Sequence, residues 1–315
     1  MNIILIVIAI MLPIAFGYLF RILGVFKEDE INTLRKFVVK VSVPFIIFKN
    51  LFKANMESLT QIYPAMFSLI LLTLLFAVTA YFISNYISKK RKEQNSYAFT
   101  TFAGNYGYLG WGVLYYLYGD PGFTRSVFFT LIFWPAFLTI GFILLYFRNK
   151  KHSTKGNHKL LIILIKNASI PIVSAILAIS MNLFNIKIPE LIWDFIIKFA
   201  GFTIPMILFT IGLNFKFRMK RSQLRIIISA TAHRILFGFI LGILTCYITK
   251  LIFPVDMIMQ KVILVESVMP TAAMSPFFEE YIDMDKKLVS GVIAFSTIFS
   301  LITIPFWFYI IEIIF

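Results

Sequence analysis

The chain has 315 residues, of which 59% are hydrophobic and only 14% charged, at a mean hydropathy of +0.86. Its apolar stretches are long enough to cross a bilayer repeatedly, which excludes a water-soluble globule and makes this a polytopic membrane protein. The formal charge of +15 invites a nucleic-acid partner, but the basic side chains sit in short connections between apolar runs, so no nucleic acid is expected.

Ten apolar stretches follow one another along the chain. The first, 1 to 23, is uncharged up to Arg21 and is long enough to cross about 30 Å of hydrocarbon. No basic residue precedes it and no small-residue cleavage site follows, so it reads as a span rather than a leader. The second, 30 to 50, carries Pro44 in VSVPFIIFKNLF and places Lys36 and Lys40 on one face. After 62 to 88 comes the fourth, 96 to 119, whose TFAGNYGYLGWG contains Gly104, Gly107, Gly110 and Gly112. The remaining stretches run at 122 to 147, 160 to 184, 190 to 213 (with FTIPMILFTIGLNF), 226 to 251, 256 to 281 and 288 to 314. The ninth holds Glu266, Pro270 and Pro276 in VESVMPTAAMSPFFEEY. No connection is large enough to be a domain. The reading is one transport domain over 1–315, with a first half at 1–147, a basic cytoplasmic linker at 148–159 and a second half at 160–315.

Lys and Arg counts orient the chain. The odd-numbered connections hold 18 of them and the even-numbered ones, with their flanks, hold 5. Odd connections therefore face the cytoplasm and both termini face outward. These loops meet anionic lipid headgroups or plain solvent. The lone Cys246 excludes an intramolecular disulfide, and His152, His158 and His233 have no acidic or thiol companions at ligand spacing. No metal site and no cofactor are expected.

The halves resemble each other weakly. Pro13 pairs with Pro171 at an offset of 158, and Pro44 with Pro205 at 161, the latter within a shared Pro-x-Ile-x-Phe. Continuing that register carries the glycine-rich fourth span onto the proline-broken ninth. Five spans per half is an odd number, so the copies are inverted, and paired interruptions at corresponding positions point to a substrate site near the bilayer midplane. The alternative is a pair of kinked packing helices with small residues at their contact.

A break in hydrocarbon frees backbone N–H and C=O groups, tolerable only where protein or water satisfies them. In the ninth span Pro270 marks the break, while Ser275 and Pro276 suit an N-cap and first helical position, with Thr271 able to cap one turn earlier. That restarted helix would offer a partial positive charge to a carboxylate. In the fourth span Asn105, between Gly104 and Tyr106, suits either holding a substrate oxygen or capping the loosened backbone. Gly107 extends the break, and Tyr106 and Tyr108 are candidates to line a pocket. Lys40 is read as neutralising an anion or snorkelling to headgroups, and Glu266 as a proton site or a partner to a lysine. Arg234, Lys198 and Lys166 are read as interfacial or structurally paired.

The final stretch, VESVMPTAAMSPFFEEYIDMDKKLVSGVIAFSTIFSLITIPFWFYII, resembles the end of the auxin efflux carrier family, and FVVKVSVPFIIFKNLFKAN, FAGNYGYLGWG and PMILFTIGLNF are similar to its second, fourth and seventh spans. The resemblance covers nearly the whole chain. It implies an all-α fold of ten transmembrane helices in two inverted repeats of five, with helices four and nine crossing at their breaks. It implies transport of small organic anions by elevator-like movement, with Asn105 and Pro270 at the crossing. Gly104 stands where plant members have proline, Gly110-Trp111-Gly112 where many have Gly-x-Pro, and Lys40 at a position that is apolar in the plant pattern, so pocket shape does not transfer. The short linker at 148–159 points to a small bacterial-type member similar to malonate and other organic acid permeases.

The expected protein is a multi-pass transporter of the cell membrane that carries a small organic anion, pairs as a homodimer and couples to protons, sodium or membrane potential. A ligand sensor on the same broken helices is the competing reading. An intramembrane enzyme fits poorly: Glu279 and Glu280 lack the downstream arginine and histidines such sites need, and no Gly-x-Ser-x-Gly appears.

Overall fold

In the computed structural model, residues 3–54, 56–148, 170, 172–215, 221–272 and 283–315 are described. Every regular element among them is helical, and the one departure is an isolated antiparallel bridge between Gly104 and Thr271. Five helical stretches are long and apolar enough to cross a membrane, with shorter apolar helices at 8–22 and 172–183. The chain is thus an all-helical membrane protein of several spans.

The described residues fall into two compact units, one within Met1–Ile62, Gly107–Leu131 and Asn157–Phe215, the other within Tyr63–Tyr106, Ile132–Gly156 and Lys216–Phe315. Each draws segments from both halves of the sequence.

The first unit begins with α1 (Ile3–Ile22). The second span is a continuous run of α2 (Glu28–Phe37), a π-turn at Val38–Ser42 and α3 (Val43–Phe52). Glu28, Asp29 and Glu30 fill the first turn of α2 and Arg35 and Lys36 its last, matching the helix dipole at both ends. Pro44 at the start of α3 cannot donate, and the π-turn before it absorbs the mismatch. Nearby carbonyls find side-chain donors instead: Ser174 Oγ donates to Pro44 O at 2.6 Å and Thr203 Oγ1 to Ser42 O at 2.9 Å. After the short α4 (Met56–Leu59), this unit continues with α7 (Trp111–Thr130), α9 (Ile172–Leu183) and α10 (Glu190–Leu213). Helices α1 and α10 approach at backbone distance, because a Cβ at Gly17 would overlap the Phe209 carbonyl and one at Gly212 the Ile14 carbonyl. Small residues at such a contact are how bilayer helices gain dispersion energy where burial from lipid supplies little. Gly119, at φ 63°, kinks α7 where a span boundary is expected. A second turn at 131–132, without a proline or glycine to announce it, precedes α8.

The second unit contains α5 (Ile62–Ile87), α6 (Arg91–Thr101) and α8 (Phe133–Arg148). Its eighth span is α11 (Leu224–Ala232), a π-turn at His233–Phe237 and α12 (Gly238–Ile252). Then come α13 (Met257–Ser267) and α14 (Lys286–Ile314). Helices α12 and α13 close in over Gly238 and Gly242, where a Cβ would strike Ser267. The turn before α14 ties three elements together. Asp285 caps α14 through the amides of Lys287 and Leu288, accepts from Gln223 Nε2 at 2.7 Å, and donates its own amide to Ser96 Oγ on α6 at 2.8 Å. Asp283 lies 2.8 Å from Lys92 Nζ, and that hydrogen bond and charge raise the exposed ammonium's pKa.

Candidate functional site

Both interrupted spans stop within the second unit, and each stop is completed by the other. Helix α6 ends at Thr101, and residues 102–105 leave helical geometry before the π-turn Tyr106–Gly110. Helix α13 ends at Ser267, and the chain passes through Met269 and Pro270 in extended form. The extended pieces pair antiparallel: Asn105 N donates to Pro270 O at 2.7 Å, and Ala272 N donates to Ala103 O at 3.0 Å. Two donors and two acceptors that an unbroken helix would have satisfied internally are exchanged between strands only a few residues long. This answers how a proline-broken segment survives in hydrocarbon, where each unsatisfied amide costs several kcal/mol. The Thr271 amide, in the middle of the bridge, donates to Ser296 Oγ on α14 at 3.2 Å.

The last carbonyls of both half-helices remain, and they are met by Arg234, which sits in the π-turn at the middle of the eighth span. The residue is 0% exposed. Its Nε donates to Met269 O at 2.8 Å, Nη1 to Thr101 O at 3.4 Å, and Nη2 to Glu266 O at 3.4 Å and to Tyr106 Oη at 3.1 Å. Its guanidinium carbon lies 4.0 Å from the centre of the Phe76 ring and 5.2 Å from that of Tyr106, so aromatic faces cover the cation where carbonyls do not. Room for it comes from Gly104, where a Cβ would overlap Nη2 and the Tyr106 ring. Next to Arg234, His233 bridges Thr79 Oγ1 at 2.9 Å and Tyr97 Oη at 3.2 Å, which holds the π-turn against α5 and α6.

Gly104, Asn105, Tyr106, Pro270 and Thr271 are therefore neighbours, and Glu266 lies in the last turn of α13 beside them, fully buried. The Asn105 side-chain amide makes no hydrogen bond with the described residues, and neither does the buried hydroxyl of Thr271. Tyr106 differs in kind, since its phenol is an acceptor for Arg234. Lys40, Gly107 and Tyr108 belong to the first unit, where Lys40 is exposed on the π-turn of the second span and Tyr108 is half-buried. Ser275 and Pro276, with the helix start expected there, lie outside the described residues, as do Pro171, Lys166, His152, His158, Glu279 and Glu280. Lys198 is exposed. Arg234, read from the sequence as interfacial or structurally paired, is structurally paired, and its place at the crossing is what that reading did not include. The available signal was an arginine deep inside an otherwise apolar span, which has no route to the headgroups and so needs internal partners.

A paired break of this kind, lined by unengaged polar groups and held by a buried cation, is an arrangement suited to binding a polar solute within a bilayer. Comparison with known proteins identifies the family of the chain as a whole. A family profile described as "Membrane transport protein" matches residues 2–308. The chain is 25% identical over 314 residues to an uncharacterized transporter of Methanothermobacter thermautotrophicus, covering 96% of each chain. It is 27% identical over 314 residues to an uncharacterized transporter of Methanocaldococcus jannaschii, covering 98% of this chain and 97% of the relative. The chain belongs to this family of membrane transport proteins, the auxin efflux carrier family that its last two spans resemble.

Proposed function

We propose that the protein is a secondary transporter of a small organic anion, a carboxylate, bound at the crossing of the fourth and ninth spans. The observation that carries this is the mutual repair of the two breaks, which leaves the Asn105 amide and the Thr271 hydroxyl without partners among the described residues while every paired backbone group is satisfied. An amide donor, a hydroxyl and the backbone beside them suit carboxylate oxygens. Pro270 and Gly104 set the shape of that point. Tyr108 and Lys40, which belong to the first unit, are proposed on residue type alone, Lys40 as a positive charge for the anion.

Ten spans in two inverted repeats, with the crossing near the midplane, form the proposed frame. An elevator-like movement, which the family resemblance implies, is the proposed mechanism. The location is the plasma membrane with both termini outside, and the assembly is a homodimer. Glu266, in electrostatic reach of Arg234 and Tyr106, is the proposed proton group.

The test is flux of a panel of labelled mono- and dicarboxylates into proteoliposomes under imposed pH, sodium and potential gradients. Wild type moves at least one of them, Asn105→Ala loses at least tenfold, and Glu266→Gln flattens the pH profile. Ligand-induced stabilisation without flux would instead make the protein a sensor, and neither binding nor flux across the panel would end the carboxylate reading.

A further inference from the structure

The cation at the crossing is covalent. Each helix C-terminus carries about half a negative charge, so the ends of α6 and α13 together present roughly one. Thr101 O ends α6, Glu266 O lies in the last turn of α13 and Met269 O two residues past its end; with Tyr106 Oη they form a cluster of four oxygens around one buried centre. Oxygen clusters made of half-helix C-termini and unwound carbonyls are the usual ligand set for a coupling Na⁺ in broken-helix transporters. Here the centre is filled by the Arg234 guanidinium, whose positive charge faces the two helix ends and the nearby Glu266 carboxyl. Several features show the place is built for it: Gly104 leaves the space for Nη2, the Phe76 ring covers one face at 4.0 Å, and the π-turn at His233–Phe237 aims the side chain inward.

We infer that Arg234 is a tethered substitute for a coupling cation, so that the crossing binds no Na⁺ and substrate movement is independent of sodium. This rests on the transport reading for its functional meaning, though the occupancy of the site does not. Arg234 is a positioning residue: its N–H groups are engaged by backbone oxygens and a phenol, so it acts on substrate through the two breaks it holds together. A fixed cation also settles which element sets the coupling. Sodium cannot supply it here, which leaves protons or membrane potential.

Melting curves of the purified full-length protein test the inference. Wild type melts at the same temperature, within about 1 °C, in sodium chloride and in choline chloride of equal strength. Arg234→Ala melts several degrees lower in choline chloride and regains part of the loss when ethylguanidinium or sodium is supplied, because either can enter the vacated oxygen cluster. Arg234→Lys keeps the charge, melts nearer to wild type and ignores sodium. Stabilisation of wild type by sodium would overturn the assignment, as would an Arg234→Ala protein as stable as wild type in choline chloride. Should the alanine variant fail to accumulate, Arg234→Lys decides alone: indifference to sodium supports the tethered cation and dependence on it refutes it. Absence of carboxylate flux would remove the transport reading and leave these curves unchanged, so the two failures are separable.

Discussion

Gly104 and Gly107 look interchangeable in TFAGNYGYLGWG, yet the structure predicts opposite outcomes for the same substitution. A Cβ at 104 would overlap Arg234 Nη2 and the Tyr106 ring and lie 2.9 Å from Arg234 Cζ, whereas at 107 the nearest atoms are Trp111 Cζ2 at 3.7 Å and Cε2 at 3.9 Å, ordinary contact. Gly104→Ala must push the guanidinium off its carbonyls. Overpacking of this sort costs about 1–3 kcal/mol, and a weakened hydrogen bond from a charged donor about 1.5–3 kcal/mol more. The combined loss of about 2.5–6 kcal/mol corresponds to a melting temperature lower by roughly 5–12 °C, at about 2 °C per kcal/mol for a large domain. Gly107→Ala replaces glycine in a helical turn with the best helix former and leaves the melting temperature within about 1 °C or slightly raised. The assay is intrinsic-fluorescence melting of both variants in the same detergent, followed by flux in proteoliposomes. If Gly104→Ala melts with Gly107→Ala, the close packing around Arg234 is wrong and the account of the crossing falls with it.

Thr271→Val tests the site without disturbing the fold. The Thr271 hydroxyl is fully buried and has no hydrogen-bond partner among the described residues, so the isosteric change keeps the melting temperature or raises it, while flux of the transported carboxylate drops at least tenfold; unchanged flux would take Thr271 out of the site. Asn182→Ala probes the first unit. Its side-chain amide donates to the carbonyls of Leu51 at 3.3 Å, Phe52 at 2.6 Å and Ala54 at 2.8 Å, closing the end of α3, and its loss costs about 1–3 kcal/mol, read as a lower melting temperature.

Composition and charge placement determine the solvent of this protein, because transfer of apolar side chains and the retention of Lys and Arg in loops depend on residue type alone. The breaks are equally local: proline cannot donate a helix hydrogen bond, and a glycine cluster weakens a helix, whatever surrounds them. Yet Glu190–Leu213 is helical over the whole of its expected span, with Pro205 inside it, so a proline by itself does not decide where a span breaks. What only the tertiary structure decided is who repairs the damage. Asn105 finds Pro270 far along the chain, and Arg234 reaches carbonyls 35 and 133 residues away, pairings that no periodicity encodes. Even the reason for Gly104 changed, from flexibility at a break to space for a guanidinium. A buried charge in a bilayer is tolerable only with partners, and partners are a property of the fold.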